Sequence, residues 1–246
     1  MDRLIYVAMT GARHALEAQA TVAHNLANVN ASGFRAQMNA LRAVHLFGDG
    51  LPTRSYVVDS TVGTDFRPGS IQQTGRELDV AIMGKGFLAV QLPGGGEGYT
   101  RAGGLVIGAG GVLESPQGYP VLGDGGTITL PPEVNVNIAK DGTVSASPVS
   151  GRGAVNVLGR LKLVNPPEHE LTRGDDGLFR LQAGAEAPAE AAVVVASGAI
   201  EGSNVNAVGE LISMISHARA FDTHMKMLQN AEANDRQANQ LLSVNR

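Results

Sequence analysis

The side chains that could perform chemistry are few and widely spaced. Six histidines are present, but no two of them stand four residues apart, the spacing that lets one helix offer two zinc ligands. His217 and His224 are seven residues apart and so share one helix face. A metal site would need two further ligands that the neighbouring sequence does not supply. We therefore interpret the pair as structural or solvent-exposed, and the sequence predicts no metal site.

Nucleophilic catalysis also lacks its residues. The chain contains no cysteine, which excludes thiolate catalysis, disulfides, thiolate metal sites and iron–sulfur clusters. No Gly-x-Ser-x-Gly element is present, and Ser60, Ser70 and Ser115 have no obvious base in register. We predict no catalytic residue and no serine hydrolase.

Two glycine-rich segments suggest phosphate loops, at 84–86 and 94–98. Neither is followed by a helix start with a Lys-Ser or Lys-Thr pair, and β-type sequence lies on both sides. We therefore predict hairpin loops there, and no cofactor.

Paired acids leave one enzymatic alternative open. Asp175 and Asp176, and Glu168 and Glu170, lie in turn-rich sequence, where solvated turn residues are the ordinary explanation. A β-rich carbohydrate-active enzyme, or an adhesin, remains a competing class. An enzyme of this kind would need its acids to converge in a cleft.

Composition limits the partners. With 19 basic and 23 acidic side chains the net charge is −4, so the chain has no excess positive field for nucleic acid. Apolar residues make up 43%, enough for a real core. The longest conspicuous apolar run, 191–196, is far shorter than the ~20 residues of a membrane span. The start shows no uninterrupted apolar segment typical of a cleaved signal peptide.

Glycine and proline divide the chain into three parts. All 11 prolines lie between Pro52 and Pro188, and 29 of the 32 glycines lie between Gly48 and Gly202. We predict an α+β fold: an N-terminal helix within 1–36, a turn-rich antiparallel β domain at 37–202, and a C-terminal helix within 203–246. The two long helices are expected to pair in a coiled-coil-like bundle.

Both ends carry apolar or small residues at helical spacing. The first helix is predicted over about 3–28, and its small seam residues would let two helix backbones approach closely. An ordinary intramolecular helix pair is the alternative to coiled-coil packing between chains. The predicted subunit-interface residues are Leu4, Ala8, Gly11, Ala15, Ala18, Val22, Asn25, Val29, Leu211, Met214, Ala218, Phe221, Met225 and Leu228.

In the middle of the chain, apolar residues recur at every second position, as in β-strands. Leu78, Val80 and Ile82, then Leu88, Val90 and Leu92, predict a hairpin turned by 84–86. A second hairpin is predicted at 134–144, where Asp141-Gly142 would form a type I′ turn.

Several segments together resemble a known family. These are Met1-Asp2-Arg3-Leu4-Ile5-Tyr6, Asn25-Leu26-Ala27-Asn28-Val29-Asn30, Gly33-Phe34-Arg35, Leu78-Asp79-Val80-Ala81-Ile82, Tyr99-Thr100-Arg101, and Gly198-Ala199-Ile200-Glu201-Gly202-Ser203-Asn204. With them the chain resembles the flagellar rod, hook and hook-basal-body family over nearly its whole length. Within that family it looks most like a proximal rod member, with distal rod or hook-family axial proteins as the nearest alternative.

The resemblance implies a non-enzymatic rod subunit in the basal body. Its expected partners are other rod proteins, possibly copies of itself, and the flagellar type III export apparatus. It would be exported without a cleaved signal peptide into the periplasmic rod, with no small-molecule substrate, nucleic acid or direct membrane span.

Overall fold

The computed structural model describes residues 2–45, 55–148, 154–181 and 184–243. The chain divides into two compact units. The first, here called the helical unit, comprises 1–28, 36–65 and 205–246. The second, the β unit, comprises 29–35 and 66–204. The chain therefore passes between them four times.

The helical unit contains α1 (Asp2–Ala27), α2 (Ala207–Ser243) and a hairpin of β1 (Gln37–His45) with β2 (Ser55–Thr64). The predicted limits of α1 agree to within a residue. The predicted division had placed 37–64 in the β domain, whereas this hairpin packs with the helices. Side chains of α1 hold it there: Thr21 donates to the side-chain oxygen of Asn39 at 2.9 Å. Neither helix, over its described residues, is long and apolar enough to cross a membrane.

The β unit is built from short strands, and every strand pair among the described residues is antiparallel. The α+β fold class is thereby confirmed. The strands are β3 (Ile71–Gln73), β4 (Val80–Met83), β5 (Phe87–Gln91), β6 (Glu97–Thr100), β7 (Val106–Ile107), β8 (Leu113–Glu114), β9 (Leu122–Gly123), β10 (Gly126–Thr127), β11 (Val134–Ile138), β12 (Thr143–Pro148), β13 (Asn156–Arg160), β14 (Leu163–Val164), β15 (Leu171–Arg173), β16 (Phe179–Leu181), β17 (Val194–Ser197) and β18 (Ala199–Glu201).

The largest sheet has the order β14-β5-β6-β16-β15, and a second runs β11-β12-β13. The remaining strands pair two by two: β17 with β4, β18 with β3, β9 with β10 and β7 with β8. Strand β5 is buried on both faces, with Leu88 and Val90 in one apolar cluster and Phe87 and Ala89 in another. The unit thus has a substantial core.

The predicted hairpin of 78–82 with 88–92 is wrong. Strand β4 pairs with β17, and β5 pairs with β6 and β14. Gly84 and Gly86 have positive φ values of 78° and 129°, conformations that only glycine adopts easily. The chain uses this freedom to pass from one sheet to another instead of reversing within one.

The hairpin at 134–144 is confirmed as β11 with β12, but its predicted type I′ turn is wrong. Gly142 has a φ of 85°, while Asp141 is not among the residues with positive φ. A type I′ turn needs positive φ at both central residues. Here the amide of Gly142 donates to the carbonyl of Ala139, and the turn closes around that bond. The loop at 94–98 does connect a hairpin, β5 to β6, as predicted.

Candidate assembly surface

The helices α1 and α2 pack against each other in antiparallel fashion. Gly11 of α1 lies against His224 of α2, and Asn25 of α1 bonds to Glu210 of α2. Moving fourteen residues forward along α1 therefore moves the contact fourteen residues back along α2. The same register sets the start of α1 opposite residue 233, so that 234–243 extend beyond it.

The Gly11–His224 contact requires the absence of a side chain. A β-carbon placed on Gly11 would lie 2.7 Å from both ring nitrogens of His224, a distance that real side chains do not tolerate. The Nδ1 atom of His224 is buried without a hydrogen-bond partner. The histidine interpreted from sequence as structural or solvated is thus a packing residue between the two helices.

Asn25 joins three elements of the helical unit. The residue is 2% exposed. Its amide nitrogen donates to the carbonyl of Gln37 at 2.9 Å and to Oε1 of Glu210 at 3.1 Å. Its oxygen accepts from the amide of Gln37 at 2.8 Å. One buried side chain thereby ties α1 to the start of β1 and to the first turn of α2.

The residues predicted for the α1 interface are mostly covered within this one chain. Ala8, Ala15, Val22 and Asn25 are buried, whereas Gly11 and Ala18 are half-buried. Val29 is half-buried and lies beyond the end of α1, in the β unit. The side chain of Leu4 lies outside the described part of the structure. Whether these positions also touch another subunit stays a prediction.

The predicted α2 positions are more open. Met214, Ala218, Phe221 and Leu228 are half-buried, while Leu211 and Met225 are exposed.

Of the most exposed apolar surface of α2, the sequence analysis identified only Leu211. Val208 is 67% exposed, Leu211 47%, Ile212 64% and Ile215 54%. Their spacing of three, one and three residues places them on one helix face. The pattern Val-x-x-Leu-Ile-x-x-Ile in the sequence indicates this face, whereas the predicted seam from Leu211 to Leu228 leaves out Val208, Ile212 and Ile215. We call these four residues the exposed α2 stripe. On α1, Tyr6, Val7, Met9 and Leu16 are also exposed.

Contiguous exposed apolar faces of this kind mark interaction surfaces in soluble proteins. Helices that present such a face associate by burying it against another helix.

The β unit has an open cavity of about 340 Å³ with a mixed polar and apolar lining. Its charged lining consists of Glu97, Asp124 and Lys162. Lys162 forms an ion pair with Glu97, which also accepts the hydroxyl of Tyr99 at 3.1 Å. Asp175 and Glu168, the acids considered for carbohydrate chemistry, do not line it. Asp176 is instead bonded to Arg180 at 3.0 Å, and that bond lowers the pKa of Asp176.

Family models match three parts of the chain. A model described as "Flagella basal body rod protein" matches residues 5–35, and one described as "Flagellar hook protein FlgE/F/G D1 domain" matches 81–146. A third, "Flagellar basal body rod FlgEFG protein C-terminal", matches 196–241.

Curated relatives match the chain from end to end. The flagellar basal-body rod protein FlgF of Salmonella typhimurium is 47% identical, over 99% of this chain and 100% of that protein. FlgF of Caulobacter vibrioides is 33% identical, over 97% of each. FlgG, a flagellar basal-body rod protein of Buchnera aphidicola, is 29% identical over 86% of this chain and 88% of its own length.

Proposed function

Because this chain belongs to the FlgF family of flagellar basal-body rod proteins, and is a structural subunit of the rod, we propose that it assembles through its two helices. Neighbouring axial subunits would pack on the exposed α2 stripe and on the exposed apolar residues of α1. The β unit then forms the body of the subunit. The observation that carries this proposal is the exposed α2 stripe itself.

Burial of the exposed α2 stripe would stabilise contacts between subunits. Complete burial of a valine, leucine or isoleucine side chain contributes about 1.5–3 kcal/mol. Each stripe residue is still about half exposed, so about 1 kcal/mol per side chain remains to be gained on assembly. Four such residues per subunit, repeated along a rod, favour a polymer over the free chain.

The helix pair supplies the geometry for repetition. We infer that α1 and α2 form a coiled-coil-like bundle, supported by the heptad spacing of α2 and by the close approach at Gly11. The stripe lies on α2 residues that are not buried against α1, so a neighbouring helix can pack there while the pair stays intact. Contacts between different surfaces that do not close on themselves generate helical filaments.

The partners we propose are other rod proteins and further copies of this chain, within the proximal rod. The subunit would transmit motor torque there as part of the drive shaft. We also infer export by the flagellar type III apparatus without a cleaved signal peptide. The FlgF relatives, which carry the name of rod proteins, support a structural role.

Paired charge substitutions on α2 test the assembly surface. Ile212→Asp places a carboxylate in the stripe, and Asn230→Asp makes a similar change at another exposed position of the same helix. We expect Ile212→Asp to be exported at the parental level but to be missing from purified basal bodies, with swimming lost. Asn230→Asp should be incorporated normally. Normal incorporation of Ile212→Asp would refute the role of the stripe.

A further inference from the structure

Three segments that the family resemblance singled out separately meet at one buried carboxylate. Glu201 Oε1 accepts from Nη2 of Arg35 at 2.7 Å, and Oε2 accepts from Nε of Arg101 at 2.6 Å. All three side chains are at most 3% exposed. Arg35 and Arg101 are 166 and 100 residues from Glu201 along the chain. All three belong to the β unit.

These residues adjoin the places where the chain passes between the two units, which follow residues 28, 35, 65 and 204. The segment 29–35 contains Arg35, and Glu201 lies just before the last passage. The chain re-enters the β unit at residue 66, and this segment also contacts the carboxylate: the amide of Gly69 donates to Oε1 of Glu201 at 2.8 Å. A single carboxylate therefore binds all the segments that enter or leave the β unit.

Further hydrogen bonds join the segments 29–35, 66–70 and 198–204, which we call the junction. The amide of Gly33 donates to the carbonyl of Glu201 at 2.7 Å, and that of Gly202 to the carbonyl of Ser70 at 2.8 Å. The side-chain amide of Asn204 donates to the carbonyl of Arg67 at 3.0 Å. The junction is also tightly packed, since a β-carbon on Gly69 would lie 2.9 Å from the carbonyl carbon of Gly202.

Arg101 also binds main-chain carbonyls at the end of β4 and in the loop that follows it. Its Nη1 donates to the carbonyl of Gly86 at 2.7 Å, and its Nη2 donates to those of Gly84 at 2.8 Å and Ile82 at 3.0 Å. Burial lowers the pKa of Arg101, and the neighbouring Glu201 carboxylate opposes that effect. A buried carboxylate is tolerated only when its partners are in place.

We propose that Arg35, Arg101 and Glu201 form a clamp that makes the ordering of the chain's two connecting ends interdependent. Segment 29–35, which follows α1, can be ordered only while 198–204, which precedes α2, is in place, and the converse also holds. Loss of either end leaves a buried charge without its partner. The clamp thus acts within the β unit, on the segments by which the chain enters and leaves it.

Hydrogen–deuterium exchange of the purified full-length chain tests the clamp. Glu201→Met removes both acceptor oxygens at similar volume. We expect amides in 29–35 and 66–70 to exchange at least tenfold faster, while those of β11 and β12, whose described residues form no hydrogen bond with the clamp residues, keep the parental rate. No change in 29–35 and 66–70 would overturn the proposal. Because the measurement uses the isolated protein, its result is independent of any role in the rod.

Glu97→Met is the matched control. It removes another carboxylate that is almost buried in the same unit, paired with Lys162, but away from the connecting segments. Faster exchange there should be confined to the surroundings of β6. Equal acceleration of 29–35 in both variants would show a general loss of stability and would overturn the clamp. If Glu201→Met does not fold, Arg35→Met is measured in the same way, and unchanged exchange in 198–204 refutes the proposal.

Discussion

At the scale of single residues, the packing of His224 against α1 requires a glycine at position 11. The imidazole ring occupies the space that a β-carbon at Gly11 would need. Glycine within a helix costs about 1 kcal/mol relative to alanine, so its presence here needs a compensating contact. The ring of His224 provides that contact.

For this pair we predict that the effect of Gly11→Ala on the free energy of unfolding changes sign when His224 is replaced by alanine. Gly11→Ala should destabilise the helical unit by about 1–3 kcal/mol, because overpacking outweighs the gain in helix propensity. In a His224→Ala background the same change should stabilise it by up to about 1 kcal/mol. Thermal unfolding followed by circular dichroism at 222 nm gives both values. If Gly11→Ala changes the stability by the same amount in both backgrounds, the two residues are not coupled.

Tyr99 gives a prediction for alkaline pH. Burial raises its pKa to about 12, from an ordinary value of 10.0, and its hydroxyl accepts the amide of Ala187 at 2.7 Å. Below pH 10 the tyrosine is protonated in both the folded and the unfolded chain, so its stabilisation is complete. Between pH 10 and about 12 only the unfolded chain releases the proton, and stability falls by about 2–3 kcal/mol.

Urea unfolding of the parent and of Tyr99→Phe at pH 9 and pH 11.5 measures this effect. The variant keeps the ring but has no proton to release, so it should lose less stability than the parent over that range. Equal losses would show that Tyr99 titrates normally. The absorbance at 295 nm should also show one tyrosine ionising late.

At the scale of elements, Asn25 decides how α1 meets its neighbours. Helix α1 ends at Ala27, and the side chain of Asn28 donates to the carbonyl of His24 at 2.9 Å, satisfying one of the last free carbonyls. One turn earlier, Asn25 faces inward, toward β1 and α2. The asparagines around this helix end therefore have separate roles, one at the terminus and one in packing.

Substitution of Asn25 tests its part in register. Asn25→Ala should cost about 1–3 kcal/mol, since the main-chain amide and carbonyl of Gln37 lose their side-chain partner. Asn25→Leu should keep or raise the helix content but impair incorporation into basal bodies more than Asn25→Ala does, because a larger apolar residue permits other registers. Secretion levels provide the control. If both variants are exported and incorporated like the parent, Asn25 does not set the register.

At the scale of the whole molecule, the two units differ in what holds them together. The β unit buries many large aliphatic side chains together with Phe87 and Phe179, against which the half-buried ring of Phe66 packs. Among the side chains that the structure describes, the helical unit buries mainly small α1 residues and leaves apolar faces exposed. Small side chains bury little area each, so we expect the helical unit to be the less stable of the two.

We therefore expect two separate transitions when the isolated chain is heated. The helical unit should unfold at the lower temperature, as followed by circular dichroism at 222 nm. Its transition temperature should rise with protein concentration if the exposed apolar faces associate. Calorimetry should show the second transition at a temperature independent of concentration. A single transition that coincides in both measurements would mean that the units unfold together.

The sequence alone determined the features that depend on neighbouring residues. The bounds of α1 follow from its helical periodicity and from the glycine beyond its end, and the 134–144 hairpin follows from alternation around Asp141-Gly142. Both rest on interactions within a few residues, which leave a local pattern. The family resemblance was also determined by short segments, among them Gly33-Phe34-Arg35, Tyr99-Thr100-Arg101 and Glu201-Gly202.

Only the tertiary structure decided which distant residues meet. Nothing near Glu201 indicates that its partners stand at 35 and 101, because a buried ion pair requires complementary charge and no particular spacing. Strand β4 alternates like a hairpin arm, yet its partner β17 is more than a hundred residues away. The exposure of Val208, Leu211, Ile212 and Ile215 was also undecided, because an apolar stripe has the same sequence whether this chain or another one covers it.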